Sequence, residues 1–217
     1  AGEQINLEEI KKKNKSELYY KKIDEIDFSN IDFVFNCLPN EQFYKIIKDL
    51  PSELSVIDLS IDFRLNNKKD YLDWYKFKHD NPDLIEDFKY GLTELNRSQI
   101  KRAKHIANPG CYATSVLIPL TILVQEKAIR TDNIIIDAKS GYSGAGKTKG
   151  KHQLLKDVHE NIKTYGVGDH KHIAEINQEL TIHNDGKNVE VFFSANLIPV
   201  ERGILSNIYI SPVELSA

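Results

Sequence analysis

The chain has 217 residues, of which 41% are hydrophobic and 28% are charged, and its formal net charge is −3. This balance is typical of a globular protein with one large or two small domains. The 29 basic residues do not outnumber the 32 acidic ones, so the charge does not favour a nucleic-acid partner. The longest apolar stretch, residues 116–124, falls far short of the roughly 20 residues that a membrane span needs.

The number of cysteines indicates the redox compartment in which the protein is expected. Cys37 and Cys111 are its only cysteines, and two cysteines cannot form a disulfide framework. Residues 1–4 lack the charged and apolar regions of a secretory signal. The expected location is therefore a reducing cytoplasm.

Strand-like and helix-like segments alternate through the first half of the chain, which predicts a parallel sheet with crossover helices. Proline marks both ends of the first predicted helix, at Pro39 and Pro51. Residues 62–90 are irregular and rich in aromatic side chains, and such a length usually marks a functional or domain-contacting loop. The predicted elements are strands at 31–37, 55–59 and 105–107, and helices at 40–50 and 98–104.

The pattern changes after Gly110. Strands become well separated and crossovers fewer, which predicts an α+β sheet in the second half. We therefore expect two domains, at residues 1–110 and 111–217. The predicted elements of the second domain are strands at 133–138, 189–195 and 204–210, and helices around 152–163 and 173–180.

The beginning of the chain departs from a usual dinucleotide-binding domain. Such a domain opens with a strand, a glycine-rich turn and a helix, whereas residues 8–15 are polar and no G-x-G-x-x-G precedes Ile31. Two interpretations follow. Either the fold binds no dinucleotide, or the opening unit is missing from this chain.

The tetrad Asn108-Pro109-Gly110-Cys111 directly precedes the apolar run 112–128. Pro109 and Gly110 predict a sharp turn, and the apolar run predicts a buried helix. Cys111 would then face unpaired backbone N–H groups, which together with the helix dipole favour a thiolate over a thiol. A buried structural cysteine is the alternative for a lone residue of this type. The turn and the residues downstream favour a nucleophile.

A glycine-rich loop follows the predicted strand 133–138. Residues 141–148 satisfy the P-loop pattern G-x-x-x-x-G-K-T, which taken alone suggests a nucleotide triphosphatase. However, Lys149, Gly150 and Lys151 would make a poor, self-repelling first helical turn. The alternative is a glycine loop whose backbone approaches a phosphate or a flat cofactor ring.

His170 and His172 are separated by one residue, so they point to the same side if the segment is extended. A histidine beside a thiolate can stabilise the anion and can protonate or deprotonate an oxygen during acyl transfer. Surface histidines are one alternative. A metal site with His152 and His159 is another, although thiolate ligands are scarce in this chain.

These motifs together resemble the N-acetyl-gamma-glutamyl-phosphate reductases, NADP-dependent enzymes of arginine biosynthesis that convert an acyl phosphate to a semialdehyde. The stretch Asn108-Pro109-Gly110-Cys111-Tyr112-Ala113-Thr114-Ser115 resembles their active-site segment. Further matches follow the family's order, at residues 35–40, 57–60, 62–64, 90–92, 137–141, 143–147, 170–172, Pro199 and Arg202-Gly203.

The resemblance implies an α/β fold. It comprises an incomplete Rossmann-like NADP-binding domain followed by an α+β catalytic and dimerisation domain of the glyceraldehyde-3-phosphate-dehydrogenase-like type. It also implies a fragment without the N-terminal glycine-rich turn and the C-terminal segment, for which weak or undetectable NADPH binding is expected. A fragment without activity is the non-enzymatic alternative. A homo-oligomer is expected for the full-length form.

The resemblance further implies a mechanism in which Cys111 attacks an acyl phosphate and forms a thioester, which hydride from NADPH reduces. His172 or His170 is the implied acid/base, with no choice between them. Arg202 and Asn108 are candidates for substrate binding, and Arg202 could instead form a structural salt bridge. The implied cofactor-contacting residues are Ser140, Gly141, Ser143, Gly144, Ala145 and Gly146, and no metal is expected.

Four positions depart from the family pattern. Ala113 and Ala174 stand where proline is usual, and Lys147 and Lys171 stand where arginine is usual. Lysine keeps the charge but loses the bidentate fork. A related acyl-phosphate reductase, of the aspartate-semialdehyde or amino-adipate type, would use the same thiol and differ in its substrate pocket.

Overall fold

The computed structural model describes Tyr19, residues 21–145 and residues 158–213. Within this part of the chain there are two four-stranded sheets, one in each half. Helices pack on both sheets, which confirms the predicted α/β class.

The first sheet is entirely parallel and has the order β1-β2-β4-β3. Its register aligns Asn36 with Asp58, Asp58 with Ala107, and Tyr90 with Ala107. The strands therefore end together at one edge, where parallel sheets usually bind ligands. Their bounds are β1 Phe33–Asn36, β2 Ser55–Asp58, β3 Phe88–Tyr90 and β4 His105–Ala107.

The helical segments of the first half are short. Burial of Phe43 and Tyr44 anchors the first of them on the sheet. Their bounds are the helices α1 Phe43–Ile46, α2 Lys68–Asp70 and α3 Thr93–Ile100, the 3-10 turns Ile23–Glu25, Phe28–Asn30, Ile47–Asp49 and Pro82–Asp87, and the π-helical turn Tyr71–Tyr75.

Two predictions in this half were wrong. The stretch 62–90 is not irregular throughout, because it contains the π-helical turn and ends in β3, where buried Phe88 and Tyr90 flank the half-buried Lys89. The helix predicted at 98–104 begins earlier, at Thr93. Its first turn is held by buried Asn96, whose side chain donates to the carbonyl of Tyr90.

The second sheet is mixed and has the order β6-β7-β5-β8. The two central strands, β5 and β7, are parallel, and both edge strands are antiparallel to their neighbours. The helix predicted around 152–163 is wrong at its C-terminal end, because Lys163 is the first residue of an edge strand. Residues 151–157 of this region lie outside the described part of the chain. The bounds are β5 Ile134–Gly141, β6 Lys163–Tyr165, β7 Val191–Ile198 and β8 Ile204–Tyr209.

Two helices cover the inner face of this sheet, α4 (Cys111–Gln125) and α5 (His172–His183). Their buried faces form the larger core with β5 and β7. Completely buried members of that core include Leu117, Ile136, Ile176, Leu180 and Phe193. The helix that follows the cysteine is therefore as apolar and buried as its sequence predicts.

Helix α5 also joins the two halves. Its Ala174 belongs to the core of the first sheet. Its Gln178 accepts a hydrogen bond from the Asn66 N–H at 2.7 Å and donates to the Arg64 carbonyl at 3.1 Å. The helix that carries His172 is thus fastened to the loop that follows β2.

Among the described residues, no helix has the length and apolar character required to cross a membrane.

Candidate active site

Cys111 is exposed and is the first residue of α4. The chain leaves β4 at Ala107, and the Asn108 N–H donates to the Asp58 carbonyl at 2.8 Å, which continues the β4–β2 pairing by one residue. Gly110 is the N-cap residue and offers no side-chain cap. The thiol therefore stands beside the free N–H groups of a fifteen-residue helix.

His172 lies against this turn. Its side chain is 6% exposed, and a Cβ atom built on Gly110 would lie 2.3 Å from its Nε2 atom. Because residue 110 has no side chain, the imidazole reaches the backbone directly before Cys111. His172 Nδ1 is buried and has no hydrogen-bond partner in the described part of the chain.

His170 packs beside His172, with ring centroids 4.8 Å apart. Of the two expected settings, a loop or an extended piece entering the helix, the structure has the loop, because Lys171 between the histidines has helical angles of φ −54° and ψ −28°. The rings meet because the His172 N–H donates to His170 Nδ1 at 3.1 Å. A neutral His170 therefore carries its proton on Nε2.

Burial keeps both imidazoles neutral. It lowers the pKa of His170 to about 4, with the Lys171 charge acting in the same direction. Burial, then His170 and Arg64, lower the pKa of His172 to about 2. A neutral imidazole can donate an N–H hydrogen bond to a developing oxyanion.

Two tyrosines complete the wall beside the thiol. The Tyr112 ring packs edge-on against His170 and His172, with centroid distances of 5.5 and 5.8 Å. Its hydroxyl lies 3.0 Å from that of Tyr165. Burial first, with a contribution from the nearby Cys111, raises the pKa of both tyrosines. Both hydroxyls are therefore protonated and can donate hydrogen bonds.

A cation, Lys171, lies near the thiol. Desolvation and then the Arg64 guanidinium lower the pKa of the exposed Lys171, while Cys111 and Glu175 act against this shift. Lys171 is thus within electrostatic range of both the Cys111 sulfur and the buried Glu175 side chain.

The glycine loop lies at the end of β5. Ser140 and Gly141 are buried, and Ser143 and Gly144 are exposed in the 3-10 turn Tyr142–Ala145. Residue 141 has no room for a side chain, because a Cβ atom there would lie 2.8 Å from the backbone nitrogen of Arg202. Gly144 closes over Ser140, whose Oγ would be 2.6 Å from a Cβ at residue 144.

Of the remaining predicted loop residues, only one lies within the described part of the chain. The backbone of Ala145 ends the 3-10 turn, and Gly146 lies outside the described residues, as do Lys147 and Thr148 of the P-loop pattern. Residues 146–148, where a P-loop helix would begin, lie outside the described part of the chain. Tyr112 also interacts with Ser140, which brings the loop to the cysteine turn.

The two candidate substrate residues differ in their settings. Asn108 is half-buried, and its side-chain amide donates to the Pro109 carbonyl at 3.2 Å. Arg202 is exposed in the β7–β8 connection, and its side chain forms no ion pair with the residues that the structure describes. A structural salt bridge is therefore not found for Arg202 in this part of the chain.

Among the described residues, no group of three or more histidine, cysteine, aspartate or glutamate side chains could hold a metal ion. His159 is described, whereas His152 lies outside the described residues.

Sequence reasoning missed a buried carboxylate at the centre of this arrangement. Glu175 accepts hydrogen bonds from the Gly110 N–H and from the Tyr90 hydroxyl, each at 2.6 Å, and Arg64 lies 3.6 Å away. The three-residue spacing from His172 on a predicted helix was a signal for this residue. For Tyr165, on a short edge strand, the sequence carries no such signal.

Two domain models of one family match the chain, and together they cover almost all of it. Residues 1–103 match "Semialdehyde dehydrogenase, NAD binding domain". Residues 111–216 match "Semialdehyde dehydrogenase, dimerisation domain". The chain belongs to the semialdehyde dehydrogenase family.

Curated members of this family with high similarity are N-acetyl-gamma-glutamyl-phosphate reductases, which confirms the resemblance found in the sequence. The protein of that name from Ehrlichia ruminantium (strain Gardel) is 45% identical over 197 residues, covering 88% of this chain and 56% of the relative. The probable chloroplastic protein of that name from Oryza sativa subsp. japonica is 45% identical over 188 residues, which cover 87% of this chain and 45% of the relative. The chain spans about half the length of the curated relatives it matches.

Solved structures of other semialdehyde dehydrogenases share the fold. Aspartate semialdehyde dehydrogenase II from Vibrio cholerae superposes with a TM-score of 0.60 at 17% identity, covering 88% of this chain and 59% of that one. A probable aspartate-semialdehyde dehydrogenase from Pseudomonas aeruginosa also gives 0.60, at 15% identity, covering 99% and 64%. At these sequence identities the comparison shows a shared fold and nothing about activity.

Proposed function

We propose that the protein reduces N-acetyl-glutamyl 5-phosphate to N-acetyl-glutamate 5-semialdehyde and phosphate, with NADPH as reductant, in arginine biosynthesis. The observation that carries this proposal is the exposed thiol of Cys111 at the N-terminus of α4, beside a neutral, buried His172. Relatives at 43–46% identity carry the name of this activity, and it supports the substrate assignment.

In the acyl-transfer step, Cys111 Sγ forms a bond to the acyl carbon, and the bond from that carbon to the phosphate oxygen breaks. The product is a thioester on Cys111 and free phosphate. The first N–H groups of α4 point to where the carbonyl oxygen gains charge, so they stabilise the tetrahedral oxyanion. Lys171, close to Cys111, offsets the negative charge of the leaving phosphate.

We assign His172 as the acid/base, and His170 as its support. Only His172 reaches the Gly110 backbone with Nε2, whereas His170 uses Nδ1 to accept the His172 N–H. Cys111 attacks as the thiolate that the helix N-terminus favours, and the neutral His172 imidazole hydrogen-bonds to the substrate oxygen as it gains charge. The tetrahedral oxyanion then collapses to the aldehyde, and the Cys111 thiolate leaves. Tyr112 and Tyr165 close one side of the site.

A bound reduced nicotinamide supplies the hydride that converts the thioester to the aldehyde. The loop after β5 fits such a group, because Ser143 and Gly144 expose backbone next to Ser140, and Ser140 interacts with Tyr112. We propose Ser140, Gly141, Ser143, Gly144, Ala145 and Gly146 as cofactor-contacting residues, and NADP as the cofactor. A nicotinamide cofactor as such is supported by the family description for residues 1–103.

We also propose that Arg202 and Asn108 bind the substrate. Arg202 is exposed and unpaired among the described residues, and its backbone adjoins Gly141. A free guanidinium is suited to a carboxylate, which it can bind bidentately. Asn108 directly follows β4 and lies three residues before the thiol.

The proposed domains are residues 1–110 and 111–217, with the boundary at the N-cap of α4. A homo-oligomer is proposed, on the family description of residues 111–216 as a dimerisation domain. The outer face of the second sheet is suited to such a contact, because Phe192, Leu205 and Tyr209 are each more than half exposed on it.

The cytoplasm is proposed as the location, because Cys37 and Cys111 are both free. Relatives from Oryza sativa and Arabidopsis thaliana are named chloroplastic. Fractionation of the source cells with an antibody to the protein tests this proposal.

The decisive experiment follows the reverse reaction in the full-length protein. Phosphate-dependent reduction of NADP by N-acetylglutamate semialdehyde should vanish in Cys111→Ser and persist in Cys37→Ser, which removes the other exposed thiol. Preference for aspartate semialdehyde would redirect the proposal to a sister enzyme. ATP hydrolysis that needs Lys147 and survives Cys111→Ser would contradict it.

A further inference from the structure

Glu175 is completely buried, yet its carboxylate has partners from three separate parts of the chain. Its Oε1 atom accepts from the Gly110 N–H and from the Tyr90 hydroxyl, both at 2.6 Å. Its Oε2 atom lies 3.6 Å from a guanidinium nitrogen of Arg64, which is itself 7% exposed. Gly110 and Tyr90 donate hydrogen bonds to Oε1, and Arg64 forms an ion pair with Oε2 without a hydrogen bond to it.

We propose that Glu175 is a positioning residue for catalysis: its buried carboxylate holds the Gly110 peptide and thereby fixes Cys111 against His172. The inference rests on the proposed function, and it adds a residue that touches neither substrate nor cofactor. Glu175 acts only through the backbone that precedes the thiol.

The geometry explains why one side chain can do this. Glu175 and His172 are three residues apart on α5, so they lie on the same face of the helix. The Gly110 N–H bonds to the first, and a Cβ on Gly110 would clash with the second at 2.3 Å. One carboxylate therefore sets the distance between the turn that carries the nucleophile and the helix that carries the imidazole.

The partners also show what keeps the carboxylate in place. A buried carboxylate is costly unless it is paired and hydrogen-bonded. Arg64 supplies the charge, and it is held by its own bond to the Leu59 carbonyl at 2.8 Å and by Gln178, which donates to its backbone carbonyl. Tyr90 adds a second short bond from the end of β3. The first sheet thereby contributes to the geometry at Cys111.

Glu179 provides a matched control. It lies one turn further along α5, is 2% exposed, and is also a carboxylate. Its side chain accepts a hydrogen bond from Gln178 at 3.0 Å, whereas the Gly110 N–H donates to Glu175. Glu175→Gln sets an NH2 group against the Arg64 guanidinium and so removes the ion pair that holds this side chain beside Gly110. Glu179 has no ion pair among the described residues, so Glu179→Gln changes a buried acid to an amide without this effect.

The test compares full-length wild type, Glu175→Gln, Glu179→Gln and Tyr90→Phe. Steady-state kinetics gives kcat and the KM values for semialdehyde and phosphate. The rate at which p-nitrophenyl acetate acylates Cys111 gives a second measure that needs no natural substrate. A misplacement of about 1 Å costs about 100-fold, so we expect that loss of kcat in Glu175→Gln, with both KM values within about threefold.

Acylation of Cys111 should be about tenfold slower in Glu175→Gln, and Tyr90→Phe should lose about tenfold in kcat. Glu179→Gln should stay within about threefold of wild type in every rate. The inference is overturned if Glu175→Gln keeps both rates, or if Glu179→Gln loses as much.

Should Glu175→Gln not fold, Tyr90→Phe decides, since a normal kcat in that variant overturns the inference. Should wild type fail to reduce NADP with the semialdehyde, the proposed function fails, and the acylation rates still decide the role of Glu175.

Discussion

The Nε2 atom of His172 lies so close to Gly110 that a Cβ atom there would be 2.3 Å from it. The same Cβ would be 2.9 Å from Oε2 of Glu175. Gly110 is not in a left-handed conformation, since its φ is −68°. The glycine is therefore required by close approach to α5 and not by backbone strain.

Gly110→Ala should slow turnover strongly, because a methyl group would push the cysteine turn away from His172. We expect kcat/KM to fall by more than about 100-fold and the unfolding free energy to fall by about 1–3 kcal/mol. Kinetics and thermal denaturation measure the two effects. Gly186→Ala is the control: its φ is +76° with open space around it, so it should cost about 1 kcal/mol and leave kcat/KM unchanged.

The two histidines should give an unusual pH profile. Burial lowers the pKa of His170 to about 4 and that of His172 to about 2. A base is active while neutral, so its activity is lost as the pH falls through the folded-state pKa. No histidine limb should therefore occur in kcat/KM between about pH 5 and 8.

His172→Gln should lower kcat by about 100-fold or more, and His170→Gln should have a smaller effect. A limb near pH 6.5, the ordinary histidine value, that disappears in His172→Gln would show that the imidazole titrates normally. Equal losses in the two variants would contradict the assignment of His172 as the acid/base.

Arg202→Ala tests substrate binding. Loss of a charged hydrogen-bonding partner should raise the KM for the semialdehyde about tenfold or more, with a smaller change in kcat. Arg97, exposed on α3, gives the control Arg97→Ala. An unchanged KM in Arg202→Ala would remove this residue from the substrate site.

Glu179 should make stability depend on pH. Burial, with the Glu175 charge, raises the pKa of Glu179 from 4.5 to about 7. Between these values the folded state binds more protons than the unfolded state, so the unfolding free energy decreases as the pH rises. Glu179→Gln removes this loss.

The variant should therefore gain stability relative to wild type between pH 5 and pH 8, by about 1–3 kcal/mol. Urea denaturation at the two pH values measures the gain. Glu94→Gln, on the exposed side of α3, should show none. A pH-independent difference for Glu179→Gln would contradict the raised pKa.

Much of this fold could be predicted from local patterns in the sequence. The apolar run after Cys111, the four-residue strands around Val34 and Val56, and the long strands β5 and β7 were all predictable from hydrophobic periodicity. Strand β3 was missed because three residues at the end of an aromatic stretch give too short a period to detect.

The site was predictable only where a motif is contiguous. Cys111 and the histidine pair stood out, but the reason that the histidines meet, a backbone bond to His170 Nδ1, is a helix-start geometry that an alternation rule misjudges. Glu175 and Arg64 are 111 positions apart, and their pairing arises from tertiary packing. No local pattern contains such a contact.

The central claim is that Cys111 carries the acyl group. Full-length protein mixed with NADP and N-acetylglutamate semialdehyde, without phosphate, should accumulate a thioester, because phosphate is the acceptor that releases it. Peptide mass spectrometry at acid pH should find the N-acetylglutamyl mass on the Cys111 peptide, and none on the Cys37 peptide or in Cys111→Ser. Turnover in Cys111→Ser, or an acyl group on another residue, would contradict the account.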